Sequence, residues 1–150
     1  MAEFRQFDFL VLNACLPVLR MRVEPATLGR IHEFLAKAFA LVSTPLAFFA
    51  RAVNGWKVLI SSIYVETAPR DFSQYVALKA AVEGLFRAAA AQAMDNSGYL
   101  IVRSPKLLTD MTNAPFGTGD AMAAEKAALS LLGLLRDPPR EPGEVKVVSL

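Results

Sequence analysis

Tyr75 and Lys79 stand four residues apart in the segment QYVALKAA, and the pair Ser61-Ser62 closes an apolar run upstream, with Ser62 thirteen residues before Tyr75. On a helix, positions i and i+4 share a face, so this spacing sets an ammonium beside a phenol. A free phenol titrates near pH 10, and a neighbouring cation lowers that value. The pair could therefore move a proton, with a serine hydroxyl orienting the oxygen that receives it. Each residue also has a plainer reading: an amphipathic tyrosine packs, and a lysine one turn on is solvated. Successive strand residues point to opposite faces, so Ser61 is expected to be structural where Ser62 is functional. His32, the single histidine, has no cysteine or second histidine near it; a surface or packing role is expected, and no metal site. The methionines, Met21, Met94, Met111 and Met122 among them, read as gap-fillers or loop contacts.

The elements that must position these residues follow from the hydrophobic pattern. Four short apolar runs, Phe9 to Leu12, Lys57 to Ile60, Tyr99 to Val102 and Val145 to Val148, read as strands bounded by Asn, Gly, Ser or Pro. Between them lie three helical stretches: Thr27 to Val53, Ser73 to Met94 and Asp120 to Arg136. The second repeats every 3.6 residues through Leu78, Val82, Leu85, Phe86, Ala89 and Ala93. The order β-α-β-α-β-α-β predicts an α/β fold, a parallel sheet with flanking helices, in one domain over residues 1–150. The Val58 strand should lie beside the Phe9 strand, with right-handed crossovers. Asn54-Gly55, Asn96-Ser97-Gly98 and Asp137-Pro138-Pro139 read as boundaries. Ser104 to Gly119 reads as a long irregular connection after a strand's carboxyl end, where ligands of such sheets bind, and hence as a lid.

Composition narrows the function classes. Sixteen basic and fourteen acidic side chains give a formal charge of +2, without basic clusters, so no nucleic-acid partner is expected. Cys15 is the lone cysteine, which rules out an internal disulfide and fits a reducing compartment. The charged start MAEFRQFDF does not read as a secretory signal, and a cytoplasmic setting is expected. Phe34 to Val53 is apolar, but Lys37, Pro45 and Arg51 interrupt it; a buried, kinked helix is expected there in preference to a membrane span. The hydrophobic content of 54% is high for a small soluble domain and suggests surface covered by a partner.

Taken in order, several segments resemble the short-chain dehydrogenase/reductase family. Asp8-Phe9-Leu10-Val11-Leu12-Asn13-Ala14-Cys15 is similar to the family's D-x-L-V-N-N-A-G segment. Val58-Leu59-Ile60-Ser61-Ser62 looks like the strand that ends in its serine, and Tyr75-Val76-Ala77-Leu78-Lys79 fits Y-x-x-x-K at the usual interval. Ser104-Pro105-Lys106 stands where the family has x-P-G, and Thr109-Asp110-Met111-Thr112 resembles T-D-M-T. The resemblance implies an NAD(P)-dependent reductase in which Tyr75 protonates a carbonyl oxygen, Lys79 tunes Tyr75 and holds the nicotinamide ribose, and Ser62 holds the substrate oxygen. It also implies cofactor contacts by Asn13, Pro105 and Thr109, an NAD or NADP cofactor, a ketone or acyl-thioester ketone substrate, and association through helices 27–53 and 73–94.

The departures are equally specific. The sequence holds no T-G-x-x-x-G-x-G turn, so it resembles the family's second half without the dinucleotide-binding half. The family's active-site asparagine falls near Lys37, Cys15 and Lys106 replace glycines, and the strand after Gly143 lacks the usual G-G loop. Three readings follow: a reductase half completed by a cofactor-binding half, a reductase-derived scaffold or subunit that binds no cofactor, and a membrane- or helix-binding module built on Phe34 to Phe49.

Overall fold

The computed structural model describes residues 6–108, 121–136, 141 and 143–150. In chain order the elements are β1 (Phe7–Leu12), α1 (Leu28–Phe49), a 3₁₀ turn (Ala50–Ala52), β2 (Val53–Ser62), α2 (Tyr64–Thr67), α3 (Ser73–Ala91), β3 (Gly98–Ser104), β4 (Leu107–Leu108), β5 (Met122–Ala123), α4 (Ala124–Leu134) and β6 (Val145–Ser149). Four strands form one parallel sheet in the order β1-β2-β3-β6. The fold is α/β as expected, and Val58 pairs with Val11, so the second strand does lie beside the first. Such strands must be joined by crossovers, which is what α1, α3 and α4 supply.

Each face of the sheet carries its own core. Leu12, Leu59, Tyr99 and Ile101 meet the buried stripe of α1, Ile31, Phe34, Ala38, Val42 and Leu46, and that of α3, Leu78, Val82, Phe86 and Ala90. On the opposite face Trp56, Val58, Leu100 and Val102 meet Leu131, Leu134 and Leu135 of α4 and its end. That second cover is partial. Phe9 and Val11, paired in register with Trp56 and Val58, are 50% and 46% exposed on the β1 edge.

Several boundaries shift for local reasons. The first helix stops at Phe49, because a 3₁₀ turn feeds directly into β2. It runs through Pro45 without interruption, although proline has no N–H to offer Leu41. Only one stripe of it is buried; Leu41 and Phe48 are exposed, so it is a surface-packed helix and not a wholly buried one. By length and composition Leu28–Ala52 would suffice to cross a membrane, the interrupting Lys37 and Pro45 notwithstanding. Residues 104–108 are ordered too: β4 pairs in parallel with β5, where an irregular loop was expected. The Asp137-Pro138-Pro139 boundary lies outside the described residues.

Asn54-Gly55 is no turn. It lies inside β2, where Phe7 pairs with Val53 but Phe9 with Trp56, a bulge of one residue opposite Asp8. The Asp8 carbonyl oxygen lies 2.1 Å from where a Cβ on Gly55 would stand. Only glycine admits that approach. Gly55→Ala should therefore destabilise the fold by about 1–3 kcal/mol, seen as a lower denaturant midpoint at unchanged slope; an unshifted midpoint would show that the bulge can open at no cost.

Candidate functional site

The carboxyl ends of β2 and β3 are stitched together. Ser62 pairs with Ser104, the Ile63 N–H donates to the Ser104 carbonyl at 3.0 Å, and Ser104 Oγ donates to the Ser61 carbonyl at 3.3 Å. The chain then turns through α2, whose first N–H, on Tyr64, donates to Ser62 Oγ at 3.2 Å. Ala68 closes α2 in the left-handed region at φ 43°.

The start of α3 is held by the segment that follows β1. The Met21 N–H donates to the Asp71 carbonyl at 2.8 Å, the Ser73 N–H to the Met21 carbonyl at 3.3 Å, and the buried Gln74 amide to the Leu19 carbonyl. Arg22 and Asp71 add an exposed ion pair at 2.6 Å. Residues 13–20 are thereby drawn toward the first turn of α3, and a cavity of about 680 Å³ opens between them and the ends of β2 and β3. Asn13, Cys15, Ser62, Tyr75, Lys79, Pro105 and Lys106 all line it.

Ser62, Tyr75 and Lys79 come together as their spacing predicts. The Ser62 side chain stands beside the Tyr75 hydroxyl and opposes the rise of its pKa. Lys79 is buried, donates from Nζ to the Ile60 carbonyl at 2.8 Å, and lies 5.5 Å from the centre of the Tyr75 ring. Tyr64 packs edge-on against Tyr75, with ring centres 6.1 Å apart. A solvated lysine is thus not what this position holds. Ser61 also borders the cavity, and its Oγ donates to Glu83 Oε1 at 2.6 Å.

The electrostatics differ from the simple expectation. Burial pushes the Tyr75 phenol up to about 12, with the Cys15 thiol adding to the rise and the Ser62 side chain opposing it. The ammonium does not lower it here, because Nζ is aimed at a backbone carbonyl and dehydration of the ring dominates. Lys79 itself is drawn down by burial, against the pull of Cys15 and Glu83. The Cys15 thiol is raised by burial, while Lys79 draws it back.

Asn13 and Pro105 line the cavity, as do Cys15 and Lys106, the two side chains that stand in for glycines. Thr109 and most of the expected lid, from 109 to 119, lie outside the described residues. Lys37 is elsewhere: it projects from α1, pairs with Glu33 at 2.7 Å and does not line the cavity. Sequence reasoning passed over Glu83 and Arg103, although Glu83 continues the 75–79 spacing by one more turn and Arg103 interrupts an otherwise apolar strand.

A phenol raised on folding makes the fold lose stability as it ionises. The folded state holds the proton more tightly, so the Tyr75 contribution is intact below its unfolded value of 10.0 and is lost as pH rises toward about 12. Tyr75→Phe should remove that loss. Between about pH 10 and 12 the native protein should give up about 2 kcal/mol more than the variant in denaturant unfolding; parallel curves would mean that Tyr75 is hydrated.

No protein-family profile matches the chain, and no curated protein resembles it in sequence. Solved structures do resemble it. An alcohol dehydrogenase from the archaeon Thermococcus sibiricus, complexed with 5-hydroxy-NADP, superposes with a TM-score of 0.75 at 20% identity, over 97% of this chain and 63% of its own. A dehydrogenase/reductase from Sinorhizobium meliloti 1021 gives 0.76 at 21% identity, over 96% and 63%. The 3-hydroxyacyl-CoA dehydrogenase type-2 from Mycobacterium avium gives 0.71 at 16%, over 93% and 65%. The chain has the Rossmann-like α/β fold of these proteins and spans less than two thirds of their length.

Proposed function

We propose that this chain is the catalytic half of a nicotinamide-dependent carbonyl reductase of the short-chain dehydrogenase/reductase type. One observation carries the reading: Ser62, Tyr75 and Lys79 meet at the carboxyl ends of parallel strands, on the wall of a single cavity. The structural neighbours, dehydrogenases and reductases by name, support the same class. A soluble, cytoplasmic setting is part of the reading.

The residues fit one end of such a cofactor. Lys79, with Asn13 and Pro105 beside it, suits the nicotinamide and its ribose, whose hydroxyls the ammonium can reach in exchange for the Ile60 carbonyl. The pyrophosphate finds no cradle, since no glycine lines the cavity among the described residues. A bound reduced nicotinamide supplies the hydride. Ser62 Oγ orients the carbonyl oxygen of the substrate, and Tyr75 transfers its hydroxyl proton to that oxygen, leaving a phenolate that the Lys79 ammonium stabilises once it turns from the Ile60 carbonyl. At about 12 the phenol keeps its proton at neutral pH but is a weak donor, so the reading requires the cofactor-bound site to lower it.

The phosphate-binding half must then come from outside these 150 residues, on the same polypeptide or another. Two surfaces suit association. One is the outer side of α1, with Leu41 and Phe48 exposed, next to α3. The other is the outer edge of β1, which no strand among the described residues pairs and where Phe7, Phe9 and Val11 stand exposed. A second reading, a scaffold that binds no cofactor, draws on the Cys15 and Lys106 side chains in the cavity.

Titration with NADH and NADPH, alone and with a supplied glycine-rich half, decides between them. The reductase reading expects saturable binding and ketone-dependent oxidation of the reduced nucleotide, falling about a hundredfold or more in Tyr75→Phe. Binding of neither nucleotide in either setting would leave the scaffold.

A further inference from the structure

Tyr75, Lys79 and Glu83 form a line along the face of α3 that meets β2 and β3. Glu83 is only 4% exposed, and a carboxylate in such a place is costly unless its oxygens are met. Both are. Ser61 Oγ donates to Oε1 at 2.6 Å, Arg103 Nε to Oε1 at 3.0 Å and Arg103 Nη2 to Oε2 at 2.7 Å. Arg103 also reaches Glu66 of α2 at 2.6 Å through Nη1.

The partners of this carboxylate are the neighbours of the site. Ser61 precedes Ser62, Arg103 precedes Ser104, and Glu66 belongs to the short helix whose first N–H meets Ser62. One buried group therefore joins α2, α3, β2 and β3 where they carry the reacting side chains.

We propose that Glu83 is a positioning residue for this site: gripped by Arg103 and Ser61, it fixes the turn of α3 that presents Lys79 between the Ile60 carbonyl and the Tyr75 ring. The inference rests on the reading of Tyr75 as the proton donor. The groups facing Lys79 are the Cys15 thiol from the segment after β1, the Ile60 carbonyl of β2, and Tyr75 and Glu83 of α3. Arg103 and Arg87 act on Glu83, and Tyr64 acts on Tyr75. Glu83, held down by Arg103 and Ser61 in spite of its burial, adds to Cys15 in opposing dehydration of the ammonium.

Competitive acetylation of the whole chain across pH, followed by peptide mapping, reads the charge of Lys79, with exposed Lys37 as internal reference. In Glu83→Gln the midpoint for Lys79 should move to lower pH, with neutral-pH labelling rising about tenfold for each unit moved. The plateau and Lys37 should stay fixed. Ser61→Ala, which keeps the charge, should leave the midpoint in place. Should Glu83→Gln fail to fold, Glu83→Gln/Arg103→Gln leaves no lone buried charge and should move the midpoint in the same direction by less, since the opposing Arg103 charge leaves with the carboxylate. An unmoved Lys79 midpoint in a folded variant overturns the proposal, since a merely structural carboxylate would change stability alone. Under turnover with NADPH and a ketone, Glu83→Gln should lower kcat with KM unchanged. The labelling needs no cofactor, so a shifted midpoint without any ketone reduction counts against the reductase reading, whereas reduction with an unmoved midpoint counts against Glu83 alone.

Discussion

The site depends on how α3 is held against the ends of β2 and β3, and polar contacts as well as apolar packing hold it. Leu78, Val82, Phe86 and Ala90 bury the helix against the sheet, but apolar contact alone tolerates small slides. Directional bonds do not. The Lys79 ammonium on the Ile60 carbonyl, the Glu83 carboxylate on Ser61 and Arg103, and the Gln74 amide on the Leu19 carbonyl each fix a different turn of the helix. A shift by one residue would break all three and strand buried polar groups. Tyr75 lies between Gln74 and Lys79 in this anchored stretch, and its ring is set against Tyr64 and the Lys79 ammonium.

The segment after β1 completes the arrangement from the other side. A few backbone hydrogen bonds to Asp71 and Ser73 bring Asn13 and Cys15 to the cavity, so residues distant in sequence share one wall. The cavity is thus the product of three strand ends and one folded-over connection. Its electrostatics come from the dehydration this packing imposes, which raises the phenol and draws down the ammonium together.

Much of this was legible in the chain. The strands around Val58 and Leu100 announce themselves as unbroken apolar runs because both faces of the central strands are covered. Ser62, Tyr75 and Lys79 were legible because helix and strand periods fix which side chains share a face. Other features hid behind local rules that tertiary contacts override. Asn54-Gly55 has the composition of a turn, yet the Asp8 carbonyl converts it to a bulge. The tuning of Tyr75 could not be read from the spacing to Lys79, since its sign depends on where Nζ points and how dry the ring is. Glu83 and Arg103 look like surface charges in one dimension; only the parallel register brings Arg103 beside Ser61 and so beside Glu83.

Lys57 carries a last consequence. Its side chain is wholly buried near the amino end of the sheet, bonded to Ser97 and to Asp95 at 3.3 Å, and lies 4.8 Å from the centre of the Tyr99 ring. A slip of β2 by a single residue would turn this ammonium onto the face occupied by the apolar side chains of Trp56, Val58, Leu100 and Val102. The lysine thus acts as a key that admits one alignment of the two central strands. That alignment is the one that brings Ser62 level with Ser104 at the far end.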